Sequence, residues 1–542
     1  MHSNITPLRA IALCGLLAAP IALADTIEVT QPISGTVMWS RTNEYVLNKF
    51  IYVLAGAELH IEAGTVVKAK PGRDADTSAL MVTRGGKLFA NGTATQPIIF
   101  TAEADDVADP NDLGIFERGL WGGVVLMGSA TVNTSLDATG NATSPKYDLY
   151  EGLPDTVVNG QNVHRYGGGN DDDNSGVLRY VSIRHAGTVF QPNKELNGLT
   201  MAGVGRGTTI EFIETYATAD DGYEWFGGTV NTKYLISAFN DDDGFDTDQG
   251  WSGKNQFWFL IQEPGKKDSG GEWNGEPNGA ANNNTPVANY QVYNATFIGA
   301  GTNTAGNRGL TIREYAAPKV FNSIFTSFGG NAMTIDDRSK THLDSGLLDI
   351  RDNLFWGFAT NGVTVALAGN ANAGVIFSDA ARNNLNVDPA LRGISRAADG
   401  GLDPRPNTGS PALESTRTAP QDGFFHPVAW KGAFRSMNWA SDWTFLSHVG
   451  VLSAAGGGNP LPAPAASSVT PDAPQLTVTR TETGLTLGFS TQAGVSYQIQ
   501  TRANLGAATW TDSGTALTGN GQPAAVPFTT ELSEQFIRVI AR

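Results

Sequence analysis

Two acidic segments 22 residues apart hold the densest chemistry in this chain. Asp220-Asp221-Gly222-Tyr223-Glu224-Trp225-Phe226-Gly227-Gly228 aligns with Asp242-Asp243-Gly244-Phe245-Asp246-Thr247-Asp248-Gln249-Gly250. If the repeat stacks, Asp220 falls on Asp242, Asp221 on Asp243 and Glu224 on Asp246, and Asp241 and Asp248 enlarge the cluster. Two carboxylates about 5 Å apart repel by roughly 1 kcal/mol in water, and several-fold more at an effective dielectric of about 20. Six or more in one patch cannot all stay ionised and unpaired, so they keep protons near neutral pH or gather a cation. A hard cation with oxygen ligands, Ca²⁺ above all, is the simplest resolution.

Three readings of the patch stand side by side. The acids are turn residues that cap backbone amides around a stabilising Ca²⁺. Alternatively Asp221, Asp243, Glu224 and Asp246 are catalytic, acting on a glycosidic bond or holding a Ca²⁺ that bridges a uronate. In the third, the patch binds without turnover. Carboxyl groups about 5 Å apart suit a retaining glycosidase and a wider pair an inverting one. Tyr223, Trp225 and Trp251 lie in the same stretch. Their flat rings can stack on sugars or serve as core. Beside polar turns, Trp225 and Trp251 are the candidates for exposure. Asn170-Asp171-Asp172-Asp173-Asn174-Ser175-Gly176 contains D-x-D-x-S-G, half of a Ca²⁺ loop with Asp171 and Asp173 as ligands. The Glu of an EF-hand's twelfth place is here Ser182, so no EF-hand follows, and a plain solvated acidic loop is the other reading.

Other chemistries are missing. The sequence has no H-E-x-x-H, no G-x-S-x-G and no G-x-x-x-x-G-K-[ST]. Its one cysteine, Cys14, lies in an apolar leader, which leaves no thiolate or disulfide elsewhere. A net charge of −17 with no Lys/Arg cluster argues against nucleic acid and anionic membranes.

The elements that must position the acids are short β-type runs. Val292-Tyr293-Asn294-Ala295-Thr296-Phe297 recurs as Val320 to Phe325 and again as Ile350 to Phe355, with Asn or Asp always third. Ile210 to Ile213 pairs with Thr232 to Leu235 at the 22-residue step. Units this small cannot bury an apolar face alone, so they stack as rungs. With 64 Gly, 26 Pro and only 16% charged residues, the composition favours turns and strands over helices. The expectation is an all-β parallel β-helix, with Asn294, Asn322 and Asp352 as a stacked ladder. The 40–50-residue blades of a β-propeller fit these steps badly.

Residues 1–24 read as a Sec signal peptide, with Arg9, an apolar run and an Ala22-Leu23-Ala24 cleavage site. No other apolar stretch reaches membrane-spanning length. The solenoid is expected over 25–453, with polar insertions at about 131–176 and 263–286 and a cap near Trp439 to Phe445. A Pro/Ala/Gly linker follows at 454–474, then a small antiparallel β-sandwich at 475–542.

Residues 25–450 resemble exported bacterial right-handed β-helix proteins of the pectin-lyase-like superfamily. Leu196 to Thr200, Gly203-Val204-Gly205, the run Ala219 to Trp251, Gly401 to Pro406 and Gly432 to Phe434 carry the likeness. The tail resembles small C-terminal β modules of secreted proteins through Tyr497 to Gln500 and Thr509-Trp510. The first resemblance implies a right-handed β-helix, and polysaccharide lyases, glycoside hydrolases and adhesins as relatives. A lyase needs a base, often Arg or Lys in this superfamily. Arg313 is the candidate, with Lys254 and Arg338 in neighbouring rungs. Two function classes remain. One is a secreted or surface protein that binds or processes extracellular polysaccharide with Ca²⁺ at the 220–248 patch. The other is a non-enzymatic surface or matrix scaffold that meets a cell-surface component and uses the patch as a structural Ca²⁺ site.

Overall fold

Nine parallel strands build the sheet that carries the acids. In chain order they are β1 (Phe50–Val53), β2 (Ala79–Val82), β3 (Val124–Met127), β4 (Leu199–Ala202), β5 (Tyr223–Phe226), β6 (Phe245–Asp248), β7 (Ser269–Asn274), β8 (Arg308–Arg313) and β9 (Met333–Ile335). Each pairs with the next in chain order, so the sheet is one wall of a stacked-rung solenoid. An eighteen-stranded parallel sheet forms the rest of the wall. This is the parallel β-helix that the repeats call for. The computed structural model describes residues 25–134, 146–191, 194–277, 283–360, 363–364, 367–414, 416–457, 476–481, 484–491, 496–502, 510–519, 522–528 and 536–541. The leader at 1–24 and residues 458–474 of the linker lie outside them.

The expected registers recur. Tyr223 pairs with Phe245, Glu224 with Asp246 and Phe226 with Asp248, while Ile210 pairs with Thr232, Val292 with Val320, and Val320 in turn with Ile350. Strand residues alternate between faces, so Glu224 and Phe226 point opposite to Tyr223 and Trp225. The inward set forms an aromatic stack. Phe245 lies 5.3 Å from Tyr223 and 4.4 Å from Trp258, and Trp225 lies 4.5 Å from Trp251. Tyr223, Trp225 and Trp251 are all 0% exposed, which rules them out as rings for a surface-bound sugar. Proximity to polar turns misled: the two-residue alternation of β5 sends Tyr223 and Trp225 into the solenoid and Glu224 out of it, while Trp251, past the end of β6, turns inward and donates its indole N–H to the Val230 carbonyl.

Corners follow a second rule. Tyr180, Phe212, Tyr234, Phe257, Asn294, Asn322 and Asp352 all take positive φ between 49° and 62°. Asn and Asp tolerate this left-handed conformation, whereas a bulky aromatic residue is strained in it. The aromatic corners recover stability by stacking, with Phe212 4.5 Å from Tyr180 and 4.2 Å from Tyr234. The Asn column stacks as expected, but its amides bond elsewhere. Asn294 Nδ2 donates to the Trp430 carbonyl and Asn322 Nδ2 to the Arg417 carbonyl, pinning the returning chain. Trp439 and Trp443 meet the aromatic corners edge-on, so this segment packs along the side of the solenoid as well as following its last rungs.

The polar stretch after Thr131 returns to the sheet. Tyr150, Leu153, Val163 and Tyr166 pack on the outward residues Met81, Val125, Met127 and Ala202 of β2–β4. Within 263–286, read as an excursion, Ser269–Asn274 is strand β7 of the sheet. The described residues divide into two compact units, 418–428 and those within 476–541 forming the second. In that unit antiparallel strands make two sheets, one with Leu476–Thr481, Gly484–Phe489 and Ala524–Phe528, the other around Ser496–Arg502 and Phe536–Ala541. Leu487, Ile499 and Phe528 share an apolar cluster there.

The aromatic stack makes a clear prediction. Phe245→Ala removes a ring packed on Tyr223, Trp258 and Phe297 and should lower unfolding stability by about 3–5 kcal/mol, read from the urea midpoint. A loss below about 1 kcal/mol would mean that the stack is not the core.

Candidate functional site

Parallel registry converts the acidic repeats into columns. Outward from the sheet, Glu224 on β5, Asp246 on β6 and Glu272 on β7 are direct neighbours. Neighbouring strands lie about 4.8 Å apart, so these carboxylates cannot separate without leaving the strand. The turns that enter the strands add Asp220 and Asp221, Asp242 and Asp243, and Asp268. Together they line a cavity of about 470 Å³, which Glu151, Glu195, Ser269, Arg308, Thr311 and Arg313 complete. Asp242 is exposed at this cavity, and Asp221 and Asp243 are buried beneath it.

Hydrogen bonds give some of the acids a second task. Asp221 Oδ1 accepts the Asp243 N–H at 2.9 Å, and Asp243 Oδ1 accepts the Ser269 N–H at 2.6 Å. Each carboxylate thus ties its own turn to the next rung. Glu224 accepts from Asn197 Nδ2. Asp246 Oδ1 is buried with no hydrogen-bond partner among the described residues. An orphaned carboxylate oxygen in such a place is costly unless a proton or a cation meets it.

Titration follows from the crowding. Burial first, and then neighbouring carboxylates, raise Asp220, Asp221, Glu224, Asp243 and Asp246 well above the usual carboxylate range. Burial also pushes Asp242 up to about 6 and Asp248 up to about 7. Positive charge is scarce nearby. Arg313 is engaged by Glu272 and by Asn274 Oδ1, at 2.6 Å from Nε. Lys194 bonds Glu151 at 3.2 Å. Arg308 lines the cavity with no ion-pair partner among the described residues.

Two carboxylate groups have the spacing for a cation. Oxygens of Asp220, Asp221 and Asp242 lie within 4.8 Å of one another, and so do those of Asp221, Glu224 and Asp246. Oxygens on opposite sides of a Ca²⁺ ion stand roughly 4.6–5.2 Å apart, so a hard cation fits between them. Asp221 belongs to both groups.

Other expected ligands lie elsewhere. Asp241 forms ion pairs with Arg118 and Lys266 outside the cavity lining. Asp248 also stands outside that lining, and its Oδ1 accepts the Gln249 N–H. Asp171 Oδ1 accepts the Thr131 N–H, and Asp171 pairs with Arg206. Asp173 accepts from the hydroxyls of Ser129 and Ser175. These bonds hold the loop to its neighbours, and neither residue joins the two carboxylate groups. Lys254 belongs to the other sheet and Arg338 pairs with Glu314, so neither lines the cavity.

Sequence reading missed Asp268, Glu272, Arg308, Glu151 and Glu195. The first two left a trace: Asp268-Ser269-Gly270-Gly271-Glu272-Trp273 echoes Asp220-Asp221-Gly222-Tyr223-Glu224-Trp225. Glu151 and Glu195 reach the cavity only through tertiary packing of the loops that carry them.

This geometry defines a parallel β-helix with an acidic cavity on one outer face. Residues 31–393 match the family model described as a pectate-lyase like beta helix domain, and the chain belongs to that family. Membership suggests a polysaccharide-related function. No curated protein matches the chain.

The raised carboxylates set the sign of a pH effect. Asp242 and Asp248 carry folded-state values above their ordinary 3.8, so their contribution is full below that pH and is lost as pH rises through 6 and 7. In chelator, the melting temperature should fall between pH about 5 and about 8, and added Ca²⁺ should recover most of the loss. A melting temperature flat across this range would contradict the crowding described.

Proposed function

We propose that the acidic cavity binds Ca²⁺ and, with it, an acidic polysaccharide of the cell exterior. The observation that carries this reading is the placement of the acids. Ten carboxylates line a solvent-facing cavity on the outer face of the solenoid, with Arg308 and Arg313 among them. A site devoted to stability has no need of an open face or of an unpaired arginine. A bare anionic sugar is repelled by ten acids, whereas bound Ca²⁺ supplies the positive charge that a uronate carboxylate can share. The chain's own residues do the remaining work. Asp221, Glu224 and Asp246 would hold the cation, and Asp220 and Asp242 extend the set. Arg308 offers a guanidinium to an anionic group. Arg313, already held by Glu272 and Asn274, acts by fixing Glu272 rather than as a base.

A second reading has its own support. Asp221 and Asp243 each tie one rung to the next, so a cation among them would also brace the solenoid. The two readings part on ligand binding. The test is a panel of polyuronates and neutral polysaccharides, with Ca²⁺ or chelator, followed by calorimetry, unsaturated-product absorbance and new reducing ends. Ca²⁺-dependent binding of an acidic member is expected. Asp221→Asn should weaken it by at least about tenfold, and so should Arg308→Ala. Asn keeps the acceptor oxygen for the Asp243 amide, so Asp221→Asn should melt no lower than the parent in chelator. Product type would separate lyase from hydrolase. Binding of no member, with a chelator-sensitive melting temperature, would transfer the acids to the bracing role.

A further inference from the structure

One outward column of the sheet shows how far a ligand can extend. It runs Tyr52, Met81, Val125, Thr200, Glu224, Asp246, Glu272 and Thr311, each paired with the next across β1 to β8. Its first half is closed. Met81, Val125 and Thr200 are each 0% exposed, roofed by the loop that follows Thr131. The roof ends on the column itself, where the Tyr150 hydroxyl meets Thr200 Oγ1 at 3.2 Å. The next side chain on the column is Glu224, and the next in the roof is Glu151, which lines the cavity. On the opposite side the cavity runs on over β8, past Arg308, Thr311 and Arg313.

A polymer lying along this face therefore meets a wall on its β4 side. The wall is well built: Tyr150 is fully buried, and Glu151 is bonded to Lys194. Three rungs at about 4.8 Å give the acidic floor of Glu224, Asp246 and Glu272 a length of only some 10–15 Å. A chain that runs across the strands can end there, but it cannot pass the β4 side.

Resting on the polysaccharide reading above, we propose that the cavity is blind at the Tyr150–Glu151 wall and captures one end of an acidic glycan instead of its interior. The terminal residue abuts the wall over Glu224, and the chain leaves over β8 past Arg308. Ligands should then be ranked by their ends, with length adding little beyond the first few residues.

Calorimetry of the full chain in Ca²⁺ tests this with oligogalacturonates and oligoalginates of two to eight residues. Each is used free, with an aminobenzamide label at the reducing end, or with a bulky substituent at the non-reducing end. Affinity is expected to level off after about three residues, and one of the two capped forms, but not the other, should lose at least about tenfold. Affinity that climbs to eight residues, or loss with both caps or with neither, overturns the one-ended groove while leaving the polysaccharide reading intact. Binding of no oligomer in any form overturns both.

Discussion

Everything at this site follows from parallel, in-register stacking of like charges. A parallel rung places each residue about 4.8 Å from its counterpart above and below, and the pairing leaves it no other position. When the counterparts are Glu224, Asp246 and Glu272, the fold itself holds together groups that repel. The apolar interior makes that possible. Tyr223, Trp225, Phe245, Trp251 and Trp258 are packed ring on ring directly beneath the acids, and their burial opposes the electrostatic cost above. Strain of this kind persists where the surrounding structure enforces it, and it is characteristic of sites that bind charged ligands.

The same outer face does two jobs. Over β2–β4 it is apolar and covered by the loop after Thr131, and over β5–β7 it is acidic and uncovered. The change falls within a single strand: Glu224 lines the cavity, while Phe226, two residues on and on the same face, is 8% exposed under Tyr150 and Tyr166. The roof thus sets the edge of the cavity, and the turn carboxylates of Asp221 and Asp243 hold its floor together from rung to rung.

Much of this was legible in the sequence because solenoids keep sequence distance and spatial distance in step. The 22-residue repeat predicted the pairing of Glu224 with Asp246 and of Phe226 with Asp248 residue for residue. Reading failed where that rule lapses. Trp225 and Trp251 look exposed because polar turns surround them, yet the strand period points Trp225 inward, and the bond from the Trp251 indole to the Val230 carbonyl draws the second ring in after it. Glu272 was hidden because the step from Asp246 lengthens to 26 residues and the flanking sequence is polar. Glu151 and Glu195 come from outside the repeat, and no periodicity could have brought them to the cavity. Adjacency in sequence groups Asp241 and Asp248 with the other acids, but their partners, Arg118 and Lys266 for one and the Gln249 amide for the other, lie outside the cavity.

The central claim is that a cation sits among Asp220, Asp221, Glu224, Asp242 and Asp246. The most direct measurement is anomalous diffraction from crystals of the protein grown in Ca²⁺ and, separately, in a lanthanide that replaces it. The account predicts an anomalous peak within bonding distance of Asp221 together with Glu224 and Asp246, or with Asp220 and Asp242. A well-ordered cavity with water alone between these carboxylates, at neutral pH and millimolar Ca²⁺, would contradict it.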